Sequence, residues 1–175
     1  FIFGATTVGF HPYSEHRPTA ASRPYSGGWY EVFNSAIMLD TTDKVQIYHK
    51  SRLVTGSEKM PYTDLFPIIE KLAPNLGGTS GTLGSQHERT VFTPANQDYN
   101  IGVAICYESI YGEFLTGYVK KGANLMAVIT NDGWWRNTPG YRQHVSYASL
   151  RAIETRRSIV HCANTGISAL INQKG

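Results

Sequence analysis

Between residues 100 and 171 short apolar runs alternate with longer amphipathic segments, and that alternation narrows the fold more than any other feature of the chain. Residues 100–105 (Asn-Ile-Gly-Val-Ala-Ile) and 125–130 (Leu-Met-Ala-Val-Ile-Thr) have the length and β-branching of buried strands. Between them the apolar pairs Ile110-Tyr111, Phe114-Leu115 and Tyr118-Val119 recur every four residues, which predicts a helix over 109–121. Lys120-Lys121 suit the negative end of its dipole and Gly122 its C′ position. A second helix is expected from Thr138-Pro139, an N-cap followed by Pro at the first helical position, to about Arg157. It carries Tyr141, Val145, Ala148 and Ala152 on one face, and two short strands follow, 158–163 and 167–171, around the turn Asn164-Thr165-Gly166. Strand and helix in alternation define an α/β fold.

The first half is less regular. Residues 1–8 read as a buried strand bounded by Gly9, and 10–28, rich in Pro, Ser, His and Gly, as a long loop. Strands are expected at 29–39 and 44–48 around the polar turn Asp40-Thr41-Thr42-Asp43. Asp64 as N-cap, Leu65, Ile69 and Leu72 at helical spacing, and Pro74 predict a short helix. The glycine-rich run 77–84 reads as a mobile surface loop, because no Lys-Ser or Lys-Thr closes it into a phosphate loop and no strand feeds it.

Composition removes whole classes of function. The 175 residues suit one domain with a hydrophobic core, and 41% apolar with 12% aromatic content is not that of a disordered chain. No apolar run approaches the ~20 residues that span a bilayer, and no charged segment leads into an apolar one as in a signal peptide. The 16 basic residues are scattered, with Lys120-Lys121 and Arg156-Arg157 the only adjacent pairs, which argues against nucleic acid as a partner. Two cysteines, Cys106 and Cys162, exclude a disulfide scaffold, and the sequence leaves open whether the two pair. Six histidines without zincin spacing point to no metal, and no motif calls for a cofactor. A start at Phe1, already in a strand-like segment, reads as an excerpt of something longer.

Three places carry candidate chemistry. Cys106 stands where the run Gly-Val-Ala-Ile-Cys ends and a helix is due, the position where α/β folds place ligands and where helix N–H groups lower a thiol pKa. Its ordinary alternative is a small buried hydrophobe. Lys50 also follows a strand, with Glu58 close behind; its ordinary alternative is a solvated surface lysine. Asn131-Asp132-Gly133-Trp134-Trp135 follows the strand 125–130, and two adjacent tryptophans in a Gly-containing loop cover a pocket, a lipid or the core edge. Arg151 and Glu154 read as a helix-surface pair. The absence of Gly-x-Ser-x-Gly argues against a serine hydrolase.

Taken in order, Tyr48-His49-Lys50-Ser51-Arg52-Leu53-Val54, Glu58, Cys106-Tyr107-Glu108-Ser109, Asn131-Asp132-Gly133-Trp134-Trp135, Gln143-His144, Arg151-Ala152-x-Glu154 and Ala163-Asn164-Thr165-Gly166 resemble the carbon–nitrogen hydrolase (nitrilase) superfamily, and within it the branch of bacterial apolipoprotein N-acyltransferases. The resemblance covers nearly the whole chain. It implies a nitrilase-like αββα sandwich, truncated, and a Glu–Lys–Cys triad in which Cys106 is the nucleophile and Lys50 the lysine. It also implies that Glu58 is a further essential glutamate, that Tyr107 and Glu108 flank the nucleophile, and that Trp134, Trp135, Asn131 and Asp132 belong to substrate binding, the tryptophans bordering an acyl chain or the membrane. The reaction implied is ping-pong: a phospholipid ester acylates Cys106, a lysophospholipid leaves, and the N-terminal amine of a diacylglyceryl-cysteine lipoprotein takes the acyl chain. Lys50 and the backbone N–H of Tyr107 would serve as oxyanion donors. The implied location is the bacterial inner membrane, with this domain on the extracytoplasmic side.

The pattern is also departed from. The triad glutamate of the family precedes the strand matching 1–8, and neither Glu15 nor Glu31 falls at its position, so this stretch alone, one partial domain over 1–175 without transmembrane segments, is expected to be inactive. An arginine is usual where His161-Cys162 stands. Two other readings use the same residues: a soluble amidase acting on a small C–N substrate, against which the Trp-Trp loop stands, and a non-catalytic relic binding a lipid or partner. Alkylation of Cys106 faster than Cys162 at neutral pH is the expectation that separates the enzymes from the relic.

Overall fold

The computed structural model describes residues 1–59 and 82–175. The helix expected around Leu65, Ile69 and Leu72, and most of the glycine-rich run, lie outside the described residues.

The N-terminal part forms an antiparallel sheet of β1 (Ile2–Pro12), β2 (Arg23–Tyr25), β3 (Gly28–Met38) and β4 (Gln46–His49). β3 lies in the middle. β1 pairs with it from Ile2↔Met38 to Pro12↔Gly28, while β2 and β4 share its other edge. The second sheet, in the order β5 (Val91–Phe92), β6 (Ile101–Ile105), β7 (Leu125–Thr130), β8 (Ser158–Ala163), β9 (Ala169–Ile171), is parallel across its three inner strands and antiparallel at both edges. The crossovers are α1 (Gly112–Lys120) and α2 (Gly140–Thr155), which touch one another and pack on β6 and on β8 and β9. The two sheets meet through β3 against β6 and β1 against β7. Among the described residues the layers therefore run helix, sheet, sheet. One core joins them: Ala36, Met38 and Tyr48 of the first sheet pack with Val103, Met126 and Val128 of the second and with Leu115 and Tyr118 of α1. No helix among the described residues is long and apolar enough to cross a membrane.

Several sequence expectations change in the first sheet. β1 does not stop at Gly9 and is not buried on both faces; it continues to Pro12 as an edge strand with alternate residues exposed. Gly9 leaves room for the Phe33 ring, 3.1 Å from where its Cβ would be, so the glycine serves packing rather than termination. The expected loop 10–28 contains β2, turned back onto β3 through Ser26-Gly27. The remaining loop is tied down by Glu31, buried in β3, whose Oε1 accepts from the hydroxyls of Thr19 and Ser22 at 2.6 Å each. The helix expected over 109–121 is split into a 3₁₀ turn, Cys106–Ile110, and α1. α2 starts at Gly140 with Pro139 as its N-cap, in place of Thr138, and ends at Thr155.

Candidate active site

Cys106 caps β6 and opens the 3₁₀ turn with φ 53°, a left-handed conformation that costs a non-glycine residue roughly 1–2 kcal/mol. The turn that holds it there is closed from inside. Ser109 Oγ donates to the Cys106 carbonyl at 2.9 Å, and Glu108 Oε2 accepts from Ile105 N at 2.8 Å. Its far end is held by Arg151, whose Nη1 donates to Ile110 O at 3.4 Å. The expected Arg151–Glu154 pair forms at 3.1 Å, yet Arg151 is buried rather than on the surface, because Gly112 has no Cβ to block its guanidinium.

Lys50 follows β4, its N–H bonded to Asn34 O at 2.8 Å, and its side chain is fully buried. Both Glu58 oxygens accept from Nζ, at 2.8 and 2.7 Å, and Asn34 Nδ2 and Val54 N donate to the same carboxylate at 3.1 and 2.8 Å. A buried ammonium is tolerated only when paired in this way. Glu108 joins this strand end to the nucleophile turn. Its Oε1 accepts from Tyr48 OH at 2.7 Å and from the backbone of Ser51 and Arg52 at 2.7 and 2.9 Å. Glu108 thus flanks Cys106 in sequence but faces away from the reaction space, as a staple between the two sheets. Burial pushes its carboxyl up, against the pull of these donors.

Cys106, Lys50, Glu58, Tyr107, Trp134 and Trp135 open onto one cavity of about 460 Å³, completed by Thr6, Asn34 and Leu83 among others. A neighbouring cavity of about 650 Å³ shares Thr6, Glu58, Cys106 and Trp134 and carries Asn131 and Cys162 on its wall. Both cysteines are free. Ile105, Ile129 and Cys162 lie in register across three strands, so Cys106 and Cys162 stand about 10 Å apart, too far for a disulfide.

Two expectations about the thiol meet opposing factors in the structure. Burial pushes the Cys106 thiol above its ordinary value; Lys50 pulls it back only in part, and Glu58 adds to the rise. The α-helix begins only at Gly112, so of the expected helix-start N–H groups only that of Tyr107, in the 3₁₀ turn, lowers the thiol, together with the Thr130 hydroxyl. Cys162 is exposed and Cys106 partly exposed, so accessibility favours alkylation at Cys162 while the Lys50 charge favours Cys106.

The Trp loop separates its residues by role. Trp134 and Trp135 line the cavity in a 3₁₀ turn, Asp132–Trp135, with the Asn131 side chain accepting from Gly133 N at its start. Asp132 is turned inward, away from the cavity. Its Oδ1 accepts from Thr130 Oγ1 at 2.9 Å and from His144 Nδ1 at 2.7 Å. His144, buried on α2, places Nε2 2.9 Å from Ser109 Oγ and 3.1 Å from the Cys106 carbonyl. Sequence reasoning missed the parts played by His144 and Asn34. His144 sits in the Gln143-His144 pair, but a search for the apolar face of α2 passes over a polar residue that is buried.

A cysteine at the end of a parallel strand, a buried lysine paired with glutamate, and a two-sheet scaffold under helices define the class. The carbon-nitrogen hydrolase family model matches residues 9–175, and the chain belongs to that family. Its curated relatives are more particular. It is 38% identical over 147 residues to the apolipoprotein N-acyltransferase of Chlorobaculum tepidum, covering 82% of this chain and 27% of that protein. The apolipoprotein N-acyltransferase of Geobacter metallireducens is 34% identical over 146 residues, covering 83% of this chain and 27% of the relative. The chain thus spans about a quarter of the length of these relatives. Two solved structures share the fold at low identity. Saccharomyces cerevisiae Nit3, a nitrilase-superfamily member, gives a TM-score of 0.56 at 17% identity over 83% of this chain and 47% of its own. An amidase from Nesterenkonia sp. AN1, with a covalent acetamide adduct on its active-site cysteine, gives 0.54 at 17% identity over 82% of this chain and 48% of its own.

Proposed function

We propose that residues 1–175 form part of the catalytic domain of an apolipoprotein N-acyltransferase, in which Cys106 carries the acyl chain as a thioester. The observation that carries this reading is the convergence of Cys106 and the Lys50–Glu58 pair on one cavity walled by Trp134 and Trp135. The names of the relatives support the acyl-transfer assignment and a lipid donor with a lipoprotein acceptor.

In the first half-reaction the Cys106 sulfur attacks the ester carbonyl of a phospholipid. The S–C bond forms, the C–O bond breaks, and the thiol proton leaves with the lysophospholipid alkoxide. Lys50 Nζ and the Tyr107 N–H stabilise the oxyanion. In the second half-reaction the amine of the lipoprotein's diacylglyceryl-cysteine attacks the thioester carbonyl. An amide forms and the thiol is regenerated with the amine's proton. A thioester suits this exchange, since an amine outcompetes water for it. Trp134 and Trp135, partly exposed beside the cavity, offer apolar surface to an acyl chain at the membrane boundary. The site of action on this reading is the extracytoplasmic face of the bacterial inner membrane.

The test is to incubate the full-length protein with phospholipid vesicles bearing a labelled acyl chain and to map adducts by mass spectrometry. An acyl mass on the Cys106 peptide, released by hydroxylamine and transferred to a diacylglyceryl-cysteine peptide, is expected. Ammonia released from small amides, with no acyl adduct from phospholipid, would instead identify an amidase.

A further inference from the structure

Cys106 is held in its left-handed conformation by its own carbonyl oxygen. That oxygen receives the Ser109 hydroxyl at 2.9 Å and lies 3.1 Å from His144 Nε2. Behind His144 stands Asp132, at 2.7 Å from Nδ1, itself held by Thr130 Oγ1 and by its backbone N–H to Thr165 O at 2.8 Å. Ser109, His144 and Asp132 are all buried. Three buried polar side chains in a line are costly unless satisfied, and here every side-chain polar atom but Asp132 Oδ2 has a partner. Nδ1 donates to the carboxylate, and Nε2 lies beside the Ser109 hydroxyl and the Cys106 carbonyl. To donate to both the carboxylate and the carbonyl the ring carries a proton on each nitrogen, which leaves neither free as a base.

What the line does fix is a peptide plane. The peptide bond is planar and trans, so its carbonyl oxygen and its N–H point in opposite directions. Pulling the Cys106 oxygen back toward His144 turns the Tyr107 N–H the other way, toward the cavity. Tyr107 lines the cavity together with Cys106, and its N–H lowers the Cys106 thiol against the rise that burial causes.

We propose that Asp132, His144 and Ser109 are positioning residues that lock the Cys106–Tyr107 peptide with its N–H aimed at the oxyanion of the acyl-transfer intermediate. The inference rests on the acyl-transfer reading above. It assigns to Asp132 a place behind the nucleophile in place of substrate contact.

Two reactions at the same sulfur test it in the full-length protein, followed on the Cys106 peptide by mass spectrometry. Acylation by a p-nitrophenyl ester passes through an oxyanion; alkylation by iodoacetamide displaces iodide and does not. In His144→Ala acylation is expected to fall about 100-fold, as on loss of one oxyanion donor, with alkylation changed by less than about threefold. Ser109→Ala, which leaves the His144 contact in place, is expected to lose about tenfold in acylation. His144→Gln, which retains an N–H of similar reach, is expected to recover most of the acylation rate. Acylation and alkylation falling in parallel, or acylation unchanged in His144→Ala, would overturn the positioning role while leaving the acyl-transfer reading intact. Wild-type protein that alkylates at Cys106 but never acylates would overturn that reading and this one with it.

Discussion

At the scale of single residues, the reactive groups are set by burial more than by their neighbours in sequence. Cys106 has a cation close by, yet its thiol stands above the ordinary value because burial disfavours the thiolate and because Glu58 offsets the Lys50 charge. The thiolate is the reactive form, so a raised thiol pKa means slow alkylation at neutral pH and a rate still climbing where that of an ordinary cysteine has levelled off. Glu58→Gln removes the offsetting carboxylate while keeping its shape. Two opposite effects are expected from that one change. Alkylation of Cys106 at pH 7 should accelerate, because Lys50 then acts on the sulfur unopposed. The fold should lose on the order of 3 kcal/mol, because a buried ammonium loses its partner. Peptide-resolved iodoacetamide kinetics across pH and a urea titration check the two halves. A variant that alkylated more slowly than wild type at pH 7 would show that Glu58 does not raise the thiol.

At the scale of elements, the parallel strands are where the sequence was easiest to read, and packing shows why. β6 is buried throughout, so its apolar run carries the signal undiluted. Gly102 lets it lie against α1: a Cβ there would stand 2.7 Å from Tyr118 Cβ and 2.8 Å from Met126 Sδ. Neither the start of a helical side chain nor a buried sulfur in β7 yields easily. Gly102→Ala is therefore expected to cost about 2 kcal/mol and to lower Tm by roughly 6 °C, read by thermal circular dichroism. The elements that escaped the sequence failed for local reasons. β2 hid among prolines and glycines because three residues suffice when β3 supplies the partner, and β1 ran on through Gly9 because pairing with β3 outweighs glycine's weak strand preference. The helix start was misplaced because Cys106–Ile110 forms a 3₁₀ turn, whose side chains follow nearly the same apolar spacing as an α-helical turn.

At the scale of the whole molecule, the site is a seam between two sheets, which a linear reading cannot see. The motif residues Lys50, Cys106 and the Trp pair were legible as separate strand ends, and the structure brings them onto one cavity. What joins them was not legible, because Glu108 bonds the backbone of Ser51 and Arg52 from far along the chain. Its carboxylate receives donors from both sheets: Tyr48 OH and the Ser51 and Arg52 N–H groups from the β4 side, and the Ile105 N–H from β6. An amide cannot do the same. In Glu108→Gln the NH₂ group must face at least one of these N–H or O–H donors, leaving a buried donor unpaired at a cost of about 1–3 kcal/mol. The same change loosens Lys50 against Cys106, so stability and reactivity should fall together. Tyr48→Phe removes a donor to Oε1 whose bond is worth more to a carboxylate than to the amide oxygen of Gln. The double variant is therefore expected to be less destabilised than the sum of the two single variants. A double-mutant cycle by urea denaturation, with ester acylation of Cys106 measured on the same four proteins, checks the coupling; additive losses would mean that the two sheets are held together elsewhere.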